Sequence, residues 1–405
     1  MDEIDKLFEK VLESNIFKNR EALRPDHVPD YLPHRETQIM KLASIIAPAI
    51  KGARPSNVFM YGKPGTGKTA VAKYVLRRLK DKVVEGVITA YINCREADTN
   101  YRVLADLCAA VNVYVPFTGL STAEVLRRFI NGLESEGGLM IAVLDEIDAL
   151  VKKSGDAILY HLTRINERLI KAKLSIIGIT NDLRLMEYLD PRVKSSLSEE
   201  EVVFPPYTYE ELKDILQSRA DEAFNPGVLD SGVIPLCAAL AAREHGDARK
   251  ALDLLRIAGE IAERNGDNKV TEKHVRLAQE ELERDHVVDV IKTLPLHARL
   301  VLLGLYTLRN ERRSAITTGE LYERYKELCN KMNLDPLTQR RISDLIGELE
   351  LLGIINAKVI SRGRYGRTRR ITLAISDRSL KEGLAQSNIA LRGIMRDEDS
   401  RYRGW

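Results

Sequence analysis

The sequence holds only four cysteines in 405 residues, and no two of them stand in a C-x-x-C pair. Cys94, Cys108, Cys237 and Cys329 are scattered, which leaves neither a zinc site nor a disulfide framework. No apolar run approaches the roughly 18 residues of a membrane span. The opening MDEIDKLFEK is acidic and charged, unlike a secretory leader. A dominant charge sign is also missing: 62 Lys+Arg face 59 Asp+Glu, a net +3 that by itself does not suggest a nucleic-acid binder. What is present is 44% hydrophobic residues at low net charge, which argues against wholesale disorder. A chain of this length suits two or three domains and can bury a core without staples. These features predict a soluble protein of the cytoplasm with four buried thiols and no membrane partner.

Short apolar runs alternate with helical stretches through the first half. The runs are NVFMY (57–61), VITAYIN (87–93), LMIAVLD (139–145), LSIIGIT (174–180) and EVVF (201–204). Brief, β-branched and nearly continuous in apolar character, they read as buried strands of a parallel sheet. Residues 1–20 read as a short amphipathic helix or mobile arm. Residues 21–36, with three prolines, read as an extended entry. After Pro205-Pro206 only helical periodicity remains, to about residue 290. A third segment has helical spans at 296–309, 317–331 and 338–352, then two strands near 355–361 and 369–375.

The strongest motif is Gly62-Lys63-Pro64-Gly65-Thr66-Gly67-Lys68-Thr69, which fits G-x-x-x-x-G-K-[ST] between a strand and a helix. Glycines let backbone N–H groups turn inward onto phosphate oxygens, and the helix start adds its positive end. Lys68 would reach the β- and γ-phosphates of ATP or ADP, and Thr69 would offer a hydroxyl to Mg²⁺. Asp145 and Glu146 end the third apolar run, where carboxylates face the crevice of an open α/β sheet. Asp145 suits Mg²⁺, and Glu146 suits the base that polarises the attacking water. Asn181 ends the next run. It either holds that water or caps the helix that follows.

Charge is unevenly distributed. Residues 295–405 hold 21 Lys+Arg against 13 Asp+Glu, a net +8, leaving −5 for residues 1–294. Five arginines crowd the turn between the last two strands: Arg362, Arg364, Arg367, Arg369 and Arg370, with Tyr365 among them. An arginine-tipped β-hairpin suits phosphates or a minor groove. Ahead of it lies an amphipathic helix. Thr338, Gln339, Arg340, Arg341 and Ser343 stand at its start, where such side chains read bases in a major groove. Helical pair and hairpin together make a winged helix-turn-helix for double-stranded DNA; a winged-helix protein-interaction module is the alternative.

Taken in order, these pieces resemble the AAA+ ATPases. Gly246-Asp247-Ala248-Arg249-Lys250-Ala251 looks like their second sensor, which implies that Arg249 touches the γ-phosphate in cis. Pro206 through Arg219 looks like the start of their lid, which implies that Tyr207 and Arg219 line the nucleotide site. A hinge aromatic is the plainer reading of Tyr207. Leu32-Pro33-His34-Arg35-Glu36, the D-E-I-D acidic motif and the C-terminal segment narrow the likeness to the archaeal origin-recognition initiators, over roughly residues 20–385.

That likeness implies an α/β P-loop AAA+ base with a five-stranded parallel sheet, an all-helical lid and a C-terminal winged helix-turn-helix domain. The divisions fall at 1–20 for the arm and 21–205 for the base, with a helical insertion near 95–133. The lid takes 206–292, the winged helix 293–395 and a tail 396–405. It places Arg35 near the adenine and the insertion, around Tyr101 to Thr122, on DNA; an ordinary packed helix pair is the competing reading. Arg192, in Asp190-Pro191-Arg192, resembles the family's trans-acting arginine, though a cis structural arginine fits as well. The function implied is a replication initiator: a slow ATPase switch, nucleoid-associated, that recognises origin duplex and helps recruit or load the replicative helicase, with further initiator subunits as possible partners. The alternatives are a winged-helix signalling ATPase and another AAA+ DNA-transaction helper acting through oligomerisation.

Overall fold

The five apolar runs form one parallel sheet in the computed structural model, which describes residues 15–25, 27–82, 86–311, 316–361, 367–387, 391 and 393. The strands are β1 (Val58–Gly62), β2 (Val87–Asn93), β3 (Gly138–Asp145), β4 (Ala172–Thr180) and β5 (Glu200–Phe204), in spatial order β2-β3-β4-β1-β5. The central strands β3 and β4 are buried almost end to end, while the edge strands β2 and β5 are only partly so. A strand covered by helices on both faces has no solvent side to reserve for polar residues.

Helices α1 (Glu36–Ile46) and α2 (Lys68–Lys80) cover one face, over a core that includes Leu42, Met60, Val71 and Ile177. The other face carries α3 (Asn100–Ala110), α4 (Thr122–Glu136), α5 (Ile147–Ser154) and α6 (Ala157–Thr163), packed on Leu104, Phe129, Met140 and Leu144. Two short helices, α7 (Leu185–Tyr188) and α8 (Pro191–Leu197), lead into β5. The insertion between β2 and β3 is therefore the helix pair α3–α4.

The lid begins where sequence chemistry demands a helix. Thr208 and Glu211 form a reciprocal capping box at the start of α9 (Tyr209–Ala223). α10 (Val233–Arg243) and α11 (Ala248–Asn265) follow. The arm predicted for residues 1–20 divides here: residues 1–14 lie outside those described, while residues 15–23 are fastened to the lid. Ile16 and Leu23 are buried, Phe17 stacks on Phe224 at 4.8 Å, and Lys18 N–H donates to the Ala223 carbonyl at 2.8 Å. Arg20 pairs with the buried Glu263.

The chain separates into two compact units at Ala278, within α12 (Glu272–Thr293). The second unit holds α13 (Leu296–Glu311), α14 (Thr318–Lys331), α15 (Gln339–Leu351) and α16 (Asp377–Ser387). They pack on an antiparallel sheet of β6 (Ile316–Thr317), β7 (Ile355–Ser361) and β8 (Arg367–Leu373), ordered β6-β8-β7. Two of these strands were predicted. β6 was not, because two residues carry no periodicity. The hairpin register sets Ser361 opposite Arg367, so β8 starts two residues earlier than its apolar run. The tail at 396–405 lies outside the described residues. All four cysteines are buried and free, and no described helix is long and apolar enough to cross a membrane.

Candidate nucleotide site and nucleic-acid interface

β1 delivers the phosphate loop to the C-terminal edge of the sheet. Gly65 and Gly67 sit at φ +70° and +88°, a left-handed conformation that side chains resist. α2 then starts directly at Lys68. The Lys68 ammonium is buried and donates to the carbonyls of Gly62 at 2.8 Å and Lys63 at 2.7 Å. Burial, and then the positive charge of Arg249, lowers its pKa to about 8. An anion placed here would offset that cost and raise the pKa again.

The register of β2, β3 and β4 brings three strand ends together. Asp145 is 4% exposed and accepts three hydrogen bonds. Thr69 Oγ1 donates to its Oδ2 at 2.6 Å, Tyr91 Oη donates to the same oxygen at 2.8 Å, and Glu146 N–H donates to Oδ1 at 2.9 Å. Hydroxyl and carboxylate side by side are the hard oxygen donors that Mg²⁺ prefers, completed by phosphates. Glu146 holds φ +53°, rare for a residue with a side chain, and its carboxylate lies 3.7 Å from Arg95 Nη1. Asp148 accepts from Thr180 Oγ1 at 2.9 Å and from Asn181 N–H at 3.4 Å, tying the tip of β4 to the acidic motif. Asn181 does not cap α7, whose N-cap is Arg184.

The lid closes over this edge. The Ala248 N–H donates to the Gly65 carbonyl at 3.2 Å, and Asp247 caps α11 through the amides of Arg249 and Lys250. Between base and lid lies a cleft of about 290 Å³. Lys68, Thr69 and Arg249 line one part; Val28, Pro29, Leu32, Tyr207 and Ile215 give another part apolar walls. Arg219 also lines it. This guanidinium is 8% exposed, donates through Nη2 to the His27 carbonyl at 3.0 Å, and leaves Nη1 buried without a partner. An orphaned buried donor beside a phosphate loop fits an acceptor-rich nucleotide.

Arg35 lies beneath the cleft rather than in its wall. Only 2% exposed, it donates to the carbonyls of Thr66, His34 and Pro205 at 2.7–2.8 Å. Its guanidinium stands 3.6 Å from the centre of the Tyr207 ring. It thus links loop, base and lid hinge. Burial pushes the Tyr207 hydroxyl up to about 12, so it stays neutral. Tyr207 is both hinge aromatic and cleft wall.

Arg192 lines no part of its own chain's cleft. It is exposed at the start of α8, paired with Asp190 at 2.9 Å and stacked 4.9 Å over Tyr160.

In the second unit, Thr338 caps α15 by accepting from Arg341 N–H, and Ser343 Oγ donates to the Gln339 carbonyl at 3.1 Å. Gln339, Arg340 and Arg341 are exposed, with Arg341 3.4 Å from Glu348. Arg369 reaches from β8 to the Ser343 carbonyl at 3.4 Å, bracing the helix against the sheet. Arg362, Arg364 and Tyr365 lie outside the described residues, as does the side chain of Arg367. In the insertion, Arg102 pairs with Asp98, and Arg127 and Arg128 share Glu124. Among its large apolar side chains, Phe117 is 95% exposed and Tyr114 83%.

Sequence reasoning missed Tyr91, Arg95 and the Val28-Pro29 wall, and gave Asp148 of the D-E-I-D motif no role of its own. Only the position of Tyr91 and Arg95 at the end of an apolar strand, beside the acidic strand end, could have pointed to them.

Three family models match in succession: an AAA ATPase domain over residues 31–177, a Cdc6 AAA+ ATPase-type lid domain over 213–280, and a CDC6 C-terminal winged helix domain over 289–383. An ORC1-type DNA replication protein 1 of Sulfurisphaera tokodaii is 54% identical over 391 residues, covering 96% of this chain and 98% of that one. An ORC1-type DNA replication protein of Pyrococcus abyssi is 57% identical over 381 residues, 92% and 91% of the two chains. Among solved structures, the Aeropyrum pernix ORC1 protein in complex with DNA aligns at TM-score 0.79 and 52% identity, over 94% of this chain and 99% of that one.

Proposed function

Given that the chain belongs to the ORC1-type DNA replication proteins, AAA+ ATPases with a winged helix, we propose that it is an ATP-driven switch that binds origin duplex and helps recruit or load the replicative helicase. The observation that carries this reading is the cleft lined by phosphate loop and lid helix, with the acidic strand end hydrogen-bonded to its Thr69, in a chain that also holds a winged helix. With relatives at 54–57% identity over nine-tenths of the chain all replication proteins, a signalling ATPase has no support.

Within the cleft, Lys68 and the loop amides bind the β- and γ-phosphates, and Arg249 brings the lid onto the γ-phosphate. Thr69 and Asp145 are the residues that would hold Mg²⁺, which supplies charge neutralisation at the phosphates when bound. Glu146 accepts the proton of the attacking water, and Asn181 orients it. Arg219 donates to the nucleotide through its unpaired Nη1. Turnover is slow, because the lid position rather than repeated hydrolysis is the output, and that position sets the DNA-reading geometry. Arg192 serves the cleft of an adjacent initiator subunit.

On DNA, Gln339, Arg340 and Arg341 enter the major groove and the wing arginines Arg362, Arg364 and Arg367 take phosphates, with Tyr365 on sugar or base. Thr338, Ser343 and Arg369 hold α15 in place for that contact. The insertion adds Tyr114 and Phe117. That A. pernix ORC1 was solved with DNA supports this assignment. Footprinting the purified protein on genomic DNA with ATP, ADP and no nucleotide tests it. Protection confined to origin repeats and altered by nucleotide is the expected outcome; nucleotide-independent, sequence-independent protection refutes the switch.

A further inference from the structure

Tyr91 has no role in the reading above, yet it touches the group on which that reading depends. It occupies the exposed position of edge strand β2, between the buried Ala90 and Ile92. A tyrosine there is free to point its hydroxyl at water. Instead, Oη donates to Asp145 Oδ2 at 2.8 Å, and the ring lies 4.4 Å from Lys73 Nζ, one turn beyond Thr69 on α2.

The hydrogen-bond arithmetic at Asp145 gives this contact its weight. Oδ2 receives Thr69 and Tyr91; Oδ1 receives only the Glu146 amide. A threonine hydroxyl has lone pairs to offer a cation, and its direction then answers to the cation. Tyr91 is the side-chain donor to this carboxylate that has no other task. Without it, Oδ2 keeps only the Thr69 hydroxyl, which the cation also claims, and Oδ1 only the Glu146 amide, so the carboxylate is held less firmly about its own bond to Cβ. Groups that hydrogen-bond a metal ligand from behind set its orientation, and losing one typically costs 10–100-fold in metal affinity.

We propose that Tyr91 is a positioning residue for the cation site, holding the Asp145 carboxylate in the orientation that Mg²⁺ requires. The proposal rests on the reading that Thr69 and Asp145 bind Mg²⁺, and its test separates the two. Full-length protein with ADP would be titrated with Mn²⁺, following free Mn²⁺ by electron paramagnetic resonance, with ADP affinity in EDTA measured in parallel. Tyr91→Phe keeps the ring over Lys73 and removes only the hydroxyl. Its Mn²⁺ affinity should fall about tenfold, at the lower end of what such groups contribute, while ADP affinity in EDTA stays at the parent value. An unchanged Mn²⁺ affinity in Tyr91→Phe, beside a loss in Asp145→Asn, overturns the role of Tyr91 and leaves the cation site standing. An unchanged Mn²⁺ affinity in Asp145→Asn overturns the cation site and this proposal with it. Equal losses with Mn²⁺ and in EDTA mean general loosening of β2, which also overturns it.

Discussion

Lys68 shows how a functional residue works against the stability of its own fold. Its folded pKa of about 8 lies below the ordinary lysine value of 10.5. The unfolded chain therefore binds more protons between those values, and stability rises with pH across that window. Below about pH 8 the full cost of the buried ammonium is present, about 3 kcal/mol from the size of the shift. Lys68→Met should thus stabilise the nucleotide-free protein by about 1–3 kcal/mol at pH 7 relative to the parent. Urea unfolding of both proteins would measure this, and ATP affinity of the variant should be lost. A Lys68→Met protein that binds ATP as the parent does would refute the phosphate-loop role. Glu146→Gln is the complementary case. It keeps the three hydrogen bonds to Asp145, one of them from its own backbone, so ATP binding should persist while turnover falls at least 100-fold, the order of a lost general base. Single-turnover hydrolysis at parental rate would remove Glu146 from the chemistry. At this scale the placing of Lys68, Asp145 and Glu146 at one edge of the sheet was legible, because spacing and strand-end context are local. Arg35, expected near the adenine, lies beneath the cleft instead. Nothing in the chain before α1 tells that its guanidinium is spent on the carbonyls of Thr66, His34 and Pro205.

Among the elements, α11 joins two contacts that no local pattern links. Its first turn meets the phosphate loop. Further along, Gly259 leaves the space that the Phe17 ring fills, and a Cβ there would collide with that ring. Gly259→Ala should destabilise the protein by about 1–3 kcal/mol through overpacking. With Phe17→Ala in the same chain, the combined loss should be smaller than the sum of the two, as thermal melts of the four proteins would show. Full additivity would mean that the segment does not dock on α11. The wing is the other element with a quantitative expectation. Replacing Arg364 and Arg367 by Ala should weaken duplex binding and reduce the slope of log K against log salt by about 1.8, two phosphate contacts at about 0.9 each. An unchanged slope would exclude those contacts. Strands and helices were readable from period and length; β6 was not, since two residues bonded to Ile371 and Arg370 owe their strand character to β8.

Across the whole molecule, the near-neutral average conceals a division between −5 in residues 1–294 and +8 in residues 295–405. On the proposed reading, duplex binding falls to the basic C-terminal domain, where the excess positive charge lies. Arg192 belongs to this scale because it stands outside its own cleft. Arg192→Ala should leave ATP affinity unchanged and abolish any rise in specific ATPase rate with protein concentration. A rise that survives the substitution would make Arg192 a structural arginine, held by Asp190 and Tyr160.

The amino-acid order by itself determined the strands, the phosphate loop, the acidic strand end, the capped lid helix and the uneven charge. Each depends on residues a few positions apart, and steric and hydrogen-bonding preferences act over that range. Tertiary structure alone decided which side chains hold the machinery still. Tyr91 on Asp145, Arg35 under the loop, Arg219 on the His27 carbonyl and Phe17 over Gly259 are contacts across 31 to 242 positions of chain. They are selected by packing density and by the cost of an unpaired buried donor, and neither quantity exists until distant segments meet.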